Sequence, residues 1–428
     1  MIAECPTFLA AKDSDPDARQ QTIGSLLVFS DDWGRHASSC QHLVRNLLDR
    51  YPVLWVNTIG TRAPRFDLQT MKRVTEKLHQ WGTTKLSREL KPTPDGAMER
   101  SIQMHCNLKV TNPKMWPWFG SAQDRQINRW LLSKQLTGLI ARLPQPVVGL
   151  TTLPITADLP DVLPVDRWVY YCVDDFSQWP GLDGATLRTM DRAMIQRADS
   201  LVAVSEALQK MIADEGRSSS LLNHGVDVDF WNSGSDERRT GFSADHDKSD
   251  THQDGLSGPS HIPNIVFWGV IDRRMDAPSL LQLSRDMTSG TITLIGPQQY
   301  PDPAILALPN VKTLPAQPLA ALPAIAQSAD VLVMPYADLP VTRAMQPLKL
   351  KEYLATGKAV VVNRLPSTDA WADCLDVAES PEQFSRLVRE RMLTGCLASQ
   401  AASRNRLQQE SWNSKAAELE LVLKGHKS

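Results

Sequence analysis

Short apolar runs recur along the chain, and stretches with helical spacing of apolar residues separate them. Residues 26–29 and 53–56 are two such runs, and Leu43, Leu47 and Leu48 lie on one face of a predicted helix between them. This order of strand, helix and strand predicts a parallel sheet with crossover helices. The further strands predicted in this half are residues 108–110, 147–150, 168–172 and 201–204.

The same alternation returns in the second half of the chain. The predicted strands are residues 265–269, 291–296, 331–335 and 359–362. The predicted helices are residues 277–287, 319–327, 347–356, 383–392 and a long amphipathic one at 399–425. Two successive series of this kind predict an α/β protein of two Rossmann-like, doubly wound domains that face a central cleft.

A change of composition separates the two series at residues 233–263. Asp, His, Ser and Gly dominate there and apolar residues are few, so the stretch buries too little surface to offset the entropy of ordering. The predicted organisation is a loose arm (1–22), an N-terminal domain (23–232), a flexible linker (233–263), a C-terminal domain (264–398) and a terminal helix (399–428) able to pack back on the N-terminal domain.

The charge of the chain is nearly balanced, with 46 Lys and Arg against 48 Asp and Glu. A protein held on nucleic acid by phosphate contacts needs a basic excess, so no nucleic-acid partner is expected. No apolar run of about 18 residues and no secretory leader is visible, which predicts no membrane-spanning helix. The six cysteines form no C-x-x-C pair, which argues against a zinc site and favours a reducing cytoplasm.

The segment from Pro347 to Gly357 has the residues of an anion-binding helix start. Pro347 suits the first helical position, and the amides of Leu348 and Lys349 then open the helix, where its dipole favours negative charge. Lys349 adds a cation, Glu352 can accept hydrogen bonds from ribose hydroxyls, and Gly357 ends the helix. On the residues alone, an ordinary crossover helix with solvated charges explains the segment better.

With its flanks, residues 329–361, this segment resembles the donor-site region of GT-B glycosyltransferases of family 4. The resemblance is strongest to the bacterial subgroup of cell-surface polysaccharide and teichuronic-acid-type synthesis. Its members carry a Pro-x-Lys-x-x-Glu-Tyr-x-Ala-x-Gly-Lys-Pro-Val-Val pattern, which the chain matches from Pro347 onward except at Ala359. The wider family has two glutamates separated by seven residues; Glu352 matches the second, whereas Ala344 stands where the first would lie close to the donor sugar.

The resemblance implies a GT-B fold with an N-terminal acceptor domain and a C-terminal donor domain. It implies transfer of a hexosyl group, with retention, from a nucleoside diphosphate sugar to a saccharide or lipid-linked acceptor. Neutralisation of the phosphates by Arg273, Lys349 and the helix amides would make a metal unnecessary, and no other cofactor is expected. A lipid-linked acceptor would bring peripheral contact with the inner face of the membrane. Two alternatives stay open: a non-catalytic nucleotide-sugar-binding protein of the same fold, and a nucleotide-sugar epimerase.

A second candidate group follows the first strand of the C-terminal series. Gly269 permits close backbone approach, and Arg273 or Arg274 can clamp phosphate oxygens. The residues do not decide between the two arginines, and a solvated pair after a strand fits them equally well. Gly296 ends the next strand and is expected at the same edge of the cleft.

Two acidic segments follow strands of the N-terminal series. Asp174 is expected to act at the reaction centre together with Arg273 and Lys349, and Asp175 to line the acceptor side, although capping of a helix by either aspartate is as good an explanation. The loop after the first strand supplies three further predicted cleft residues, Asp32, Gly34 and Arg35, with His36 as an alternative sugar contact. This loop lacks a G-x-G-x-x-G fingerprint, so dinucleotide binding is not predicted.

Overall fold

The computed structural model describes residues 22–35, 38–57, 105–179, 181–233 and 262–426. The predicted arm up to residue 21, most of the predicted linker and His36 lie outside these residues. The chain divides into two compact units, residues 1–223 with 413–428, and residues 224–412. The division thus falls before the predicted linker, and the C-terminal segment belongs to the same unit as the N-terminal sheet.

The first unit is built on a parallel sheet. Among the described residues its seven strands lie in the order β3-β2-β1-β4-β5-β6-β7. The strands are β1 (Ser25–Ser30), β2 (Val53–Asn57), β3 (Leu108–Thr111), β4 (Val147–Thr151), β5 (Arg167–Cys172), β6 (Ser200–Ala203) and β7 (Ser220–Leu221). The strand order reverses between β1 and β4, and ligands of open α/β sheets bind at the carboxyl side of such a reversal.

The helices of the first unit begin at capping side chains that the sequence supplies. They are α1 (Ser39–Arg45), α2 (Ala122–Ile140), α3 (Gly184–Arg197) and α4 (Glu206–Asp214). Ser205 caps α4 by accepting a hydrogen bond from the amide of Leu208 at 3.3 Å. No helix in the described part of the chain is long and apolar enough to cross a membrane.

The C-terminal segment contributes to the first unit through polar contacts. The carboxylate of Glu420 accepts a hydrogen bond from the Tyr51 hydroxyl at 2.6 Å and pairs with the guanidinium of Arg50. Arg167, at the start of β5, donates to the carbonyl of Leu423 at 2.9 Å. These contacts attach the final helix (Trp412–Leu423) to the sheet.

The second unit has a parallel sheet and a short parallel ribbon. Six described strands lie in the order β12-β10-β8-β13-β14-β15, and β11 pairs with β9 alone. The strands are β8 (Asn264–Trp268), β9 (Ile271–Asp272), β10 (Thr291–Ile295), β11 (Gln298–Gln299), β12 (Val311–Leu314), β13 (Val331–Met334), β14 (Ala359–Asn363) and β15 (Asp376–Ala378). The order reverses between β8 and β13, which makes that position the expected ligand edge of this sheet.

Helices cover this second sheet. They are α5 (Val228–Asn232), α6 (Ala277–Asp286), α7 (Pro303–Leu306), α8 (Leu322–Ser328), α9 (Pro340–Ala344), α10 (Leu348–Ala355), α11 (Pro366–Asp369), α12 (Pro381–Thr394) and α13 (Ala398–Ser403). Residues 331–334 and 359–362 are buried without exception, so β13 and β14 form the centre of the core. Such continuous apolar strands are typical of parallel sheets, which are covered on both faces.

Candidate functional site

Two glycines bring the loops after β8 and β10 into contact. Gly269 and Gly296 have φ angles of 141° and 146°, which side-chain-bearing residues rarely adopt. The Gly269 amide donates to the carbonyl of Ile295 at 2.9 Å. A Cβ on Gly296 would overlap the carbonyl of Gly269, so the two loops require glycine at this point. Both predicted donor-site glycines therefore lie together at the carboxyl edge of the sheet.

Helix α10 begins at this edge. Pro347 has φ −69° and ψ 120°, so it precedes the helix as its N-cap residue and does not occupy the predicted first helical position. Its backbone is extended, so the helical conformation begins at the next residue. The first helical residues are Leu348 and Lys349, whose N–H groups have no carbonyl one turn earlier in the helix to bind. The amides of Leu348 and Lys349 are thus those of the first and second helical residues, and not of the second and third as expected.

The side chain of Lys349 lies beside Gly269. Its Nζ donates to the hydroxyl of Tyr336 and stands 4.8 Å from the Tyr336 ring and 5.0 Å from the Phe267 ring. A Cβ on Gly269 would collide with this ammonium group. Gly269 therefore leaves the space that the lysine occupies. Sequence reasoning missed Tyr336, although its place directly after β13 and Pro335 puts it at the ligand edge.

Glu352 lies one turn into α10, against the end of β8. Its Oε2 accepts a hydrogen bond from the Trp268 indole at 3.4 Å, and the Trp268 ring stacks on Trp231 with centroids 5.5 Å apart. Burial raises the pKa of Glu352 to about 7, and the nearby Lys349 ammonium opposes that rise. Glu352 thus changes charge near neutral pH, next to the cation expected to hold phosphate.

The two arginines after β9 have different surroundings. Arg274 is 5% exposed and holds Asp272 through its Nη2, 2.8 Å from Oδ2, and through its Nε, 3.0 Å from each carboxylate oxygen. Its guanidinium also lies 5.8 Å from the Tyr336 ring. Arg273 is exposed. Arg274 is thus engaged in a buried ion pair, whereas Arg273 is exposed, and the phosphate role that the sequence left open between them stays a prediction.

In the first unit, the loop after β1 is organised by a residue that the sequence did not single out. Gln41 is fully buried; its Nε2 donates to Asp31 at 2.6 Å, and its Oε1 accepts from the amide of Gly34 at 3.0 Å. Burial raises the pKa of Asp31 although three side chains donate to its carboxylate. Asp32 pairs with Arg35 at 3.3 Å on the exposed side of the loop.

Gly34 has a φ of 75°, as a tight turn at that place requires. The sequence feature that could have indicated Gln41 is an amide on the buried face of a short helix, where polar side chains are rare.

The two neighbouring aspartates after β5, Asp174 and Asp175, also have different surroundings. Asp175 caps the short 3-10 helix Phe176–Gln178 by accepting from the amide and the hydroxyl of Ser177 at 3.0 and 2.6 Å. The capping explanation therefore holds for Asp175, and its carboxylate is occupied within the first unit. Asp174 is half-buried at the carboxyl end of the same strand.

No metal centre is formed by the part of the chain that the structure describes, since it contains no suitable group of three or more His, Cys, Asp or Glu side chains. In the second unit the predicted residues that do come together are Gly269, Gly296, Lys349 and Glu352. Their surroundings offer a cation, helix amides and a titratable carboxyl.

Solved structures share this architecture over nearly the whole chain. HepE of Anabaena, solved in complex with UDP-glucose, has a TM-score of 0.61 at 11% identity and matches 94% of this chain and 100% of its own. Sucrose-phosphate synthase of Thermosynechococcus elongatus has a TM-score of 0.63 at 11% identity, over 94% of this chain and 98% of its own. Both are GT-B glycosyltransferases. The chain has the GT-B fold.

This GT-B chain shares a higher sequence identity with one curated protein than with these two solved structures. It is 30% identical over 191 residues to TuaH of Bacillus subtilis (strain 168), described as a candidate glycosyltransferase of teichuronic acid biosynthesis. The match covers 42% of this chain and 44% of TuaH, so it spans less than half of either protein. No protein-family model matches the chain.

Proposed function

We propose that this GT-B chain is a glycosyltransferase that moves a hexosyl group from a UDP-sugar to a saccharide or lipid-linked acceptor in cell-surface polysaccharide synthesis, with retention. The observation that carries the proposal is the position of the Lys349 ammonium, beside Gly269 and at the start of α10. HepE, which shares the fold, was solved with UDP-glucose, and TuaH supports the polysaccharide setting.

The chemistry follows from where negative charge grows. When the bond between the sugar and the diphosphate breaks, the leaving diphosphate gains charge, and groups already oriented toward it stabilise that charge most strongly. Lys349, Arg273 and the amides of Leu348 and Lys349 are these groups in our proposal. Glu352, as a carboxylate, accepts from the ribose hydroxyls. These cations make a metal cofactor unnecessary.

The acceptor is assigned to the first unit. Asp174, half-buried at the end of β5, is proposed to contact the acceptor hydroxyl, and the exposed pair of Asp32 and Arg35 to contact its sugar or phosphate. Asp175 and Gly34 shape the two loops, through the capping bond and the left-handed turn. If the acceptor is lipid-linked, the protein works at the inner face of the membrane.

A second candidate, a non-catalytic nucleotide-sugar-binding protein, is favoured by one observation. Ala344 ends α9, at the position where the family has a glutamate close to the donor sugar. A methyl group there offers no hydrogen bond to the sugar, although the diphosphate and ribose contacts are unaffected.

The deciding experiment is a donor screen with the purified protein. UDP release and transfer to acceptor saccharides are followed with UDP-glucose and other nucleotide sugars, and the sugar is analysed after incubation with donor alone. Transfer supports the proposal. Binding without release supports the non-catalytic candidate, and a changed sugar stereocentre without transfer supports an epimerase.

Two lysine variants locate the activity in the proposed site. Lys349→Ala should weaken UDP binding at least tenfold. Lys358→Ala is the matched control, since Lys358 lies beyond the other end of α10 and its Nζ donates to the carbonyl of Gln327 at 2.8 Å. Equal effects of the two variants would refute the site.

A further inference from the structure

Tyr300 combines backbone strain with an exposed ring. Its φ is 55°, and among the described residues it is the one non-glycine position with a positive φ. An L side chain is disfavoured there, and for a bulky residue the conformation is an outlier. The side chain is nevertheless 68% exposed. A ring that costs backbone strain and buries little surface adds little to the stability of the free protein, so a role in binding explains it better.

Tyr300 and Arg273 follow the paired ends of the short ribbon. β11 pairs with β9 in parallel, with Gln299 opposite Asp272. Tyr300 and Arg273 directly follow these two strands, Tyr300 in a bend and Arg273 in a turn, and both are exposed. Paired strands lie about 5 Å apart, so the two residues leave the ribbon from neighbouring strand ends.

The ribbon itself continues from the two glycines of the site. β9 follows Gly269 after a single residue, and β11 follows Gly296 after Pro297. Tyr300 and Arg273 thus lie a few residues after the touching glycines Gly269 and Gly296, beyond the carboxyl ends of β8 and β10. An aromatic face and a cation at that edge suit a ligand that has both a ring and phosphates.

The strand order indicates which end of the donor meets Tyr300. Ala344 and α9 follow β13, on one side of β8, and Ala344 stands where the family's sugar-side glutamate is expected. Tyr300 follows β10, on the other side of β8. If the diphosphate lies at Lys349, the sugar extends toward β13 and the nucleobase toward β10.

We propose that Tyr300 stacks on the nucleobase of the donor, while Arg273 next to it reaches the diphosphate. This inference rests on the proposed function, because it assumes a nucleotide at Lys349. Stacking on a phenol ring needs no hydrogen-bond partner from the base, so Tyr300 strengthens binding of a nucleotide over that of its phosphates alone.

The test compares UDP with inorganic pyrophosphate by titration calorimetry on the full chain. Tyr300→Gly removes the ring and relieves the backbone, so UDP affinity should fall about tenfold or more, pyrophosphate affinity should stay unchanged, and the thermal unfolding temperature should rise. Tyr300→Phe keeps the ring and should bind both ligands as the wild type does. If Tyr300 had only a structural role, Tyr300→Gly would lower the thermal unfolding temperature.

The possible results distinguish a failure of nucleobase stacking by Tyr300 from a failure of the proposed donor site. Lys349→Ala should weaken both UDP and pyrophosphate. If it does and Tyr300→Gly leaves UDP affinity unchanged, or lowers both affinities equally, stacking by Tyr300 is refuted and the donor site stands. If the wild type binds no UDP, the proposed function and the inference are both overturned.

Discussion

The hydroxyl of Tyr353 accepts a hydrogen bond from the backbone amide of Trp268 at 3.0 Å. This bond joins the middle of α10 to the last residue of β8, one residue before the turn at Gly269. The two rings also meet edge to face, with centroids 4.2 Å apart. The start of α10 and the turn at Gly269 are thus held in one position relative to each other, and Lys349 lies between them.

Replacing Tyr353 by Phe leaves the buried Trp268 amide without that acceptor. We expect a loss of about 1–3 kcal/mol in the free energy of unfolding of the second unit, because a buried donor without a partner bears its full desolvation cost. Urea unfolding followed by tryptophan fluorescence measures the loss. Tyr300→Phe is the control, since an exposed hydroxyl should matter little. Equal stabilities of the two variants would contradict the role of the bond.

The two neighbouring arginines should separate binding from stability. Arg274→Met leaves the buried carboxylate of Asp272 uncompensated, which should cost about 3–5 kcal/mol of stability. Arg273→Met should change stability by less than about 0.5 kcal/mol and weaken UDP binding severalfold. Thermal unfolding and titration calorimetry on both variants check this. If Arg273→Met destabilises the fold while Arg274→Met only weakens binding, the assignment is reversed.

Tyr336 is expected to position Lys349. Tyr336→Phe keeps the ring beneath the ammonium and removes the hydroxyl that receives its hydrogen bond. UDP affinity should fall severalfold, because the ammonium loses the hydrogen bond that fixes its position. In a Lys349→Met background the same change should have no effect. An undiminished effect in that background would show that Tyr336 acts independently of the lysine.

The half-buried carboxyl of Glu352 should make donor binding depend on pH. With a pKa of about 7, Glu352 gains a negative charge as the pH rises through that value, and it would then be the stronger acceptor for ribose hydroxyls in the proposed site. UDP-glucose affinity should therefore increase from pH 6 to pH 8, and Glu352→Gln should flatten the profile. UDP-glucose is the suitable probe because its diphosphate, esterified at both ends, does not titrate in this range. A pH-independent wild type would contradict the assignment.

The same group predicts a stability difference with a defined sign. The folded pKa lies above the usual value of 4.5, so the folded state holds the proton more tightly than the unfolded state. Relative to Glu352→Gln, the wild type should lose stability as the pH rises from about 4.5 to about 7, with no further change above. Thermal unfolding at several pH values measures this, and a parallel course of both proteins would argue against the raised pKa.

In the first unit, Gln41 should control the order of the loop after β1. Gln41→Met removes a donor from Asp31 and the acceptor of the Gly34 amide. We expect a stability loss of about 1–3 kcal/mol and faster hydrogen exchange at residues 31–35. Gln126→Met, at an exposed position of α2, is the control. Unchanged exchange in the Gln41 variant would show that the loop is ordered by other contacts.

The pattern of apolar runs was sufficient to predict the fold class, and the motif from Pro347 to Gly357 indicated where a donor site is expected. Parallel strands covered on both faces need continuous apolar runs, and these runs are readable without a structure. The predicted strand at residues 331–335 corresponds to β13 (Val331–Met334), and the one at 359–362 to β14 (Ala359–Asn363). The glycines at the strand ends were also predictable, because Gly269 and Gly296 interrupt runs that otherwise favour side chains.

Which of two chemically similar residues is exposed could be read from the packing of the folded chain and not from the residue types. Arg273 and Arg274 are identical in type and adjacent in sequence, and the partner that distinguishes them, Asp272, is buried with Arg274. Gln41 acts through hydrogen bonds to Asp31 and Gly34, Tyr336 through its contact with the Lys349 ammonium, and Tyr300 becomes notable through its φ angle. Hydrogen-bond partners, burial and backbone angles are set by the packing of distant segments, which local sequence patterns do not record.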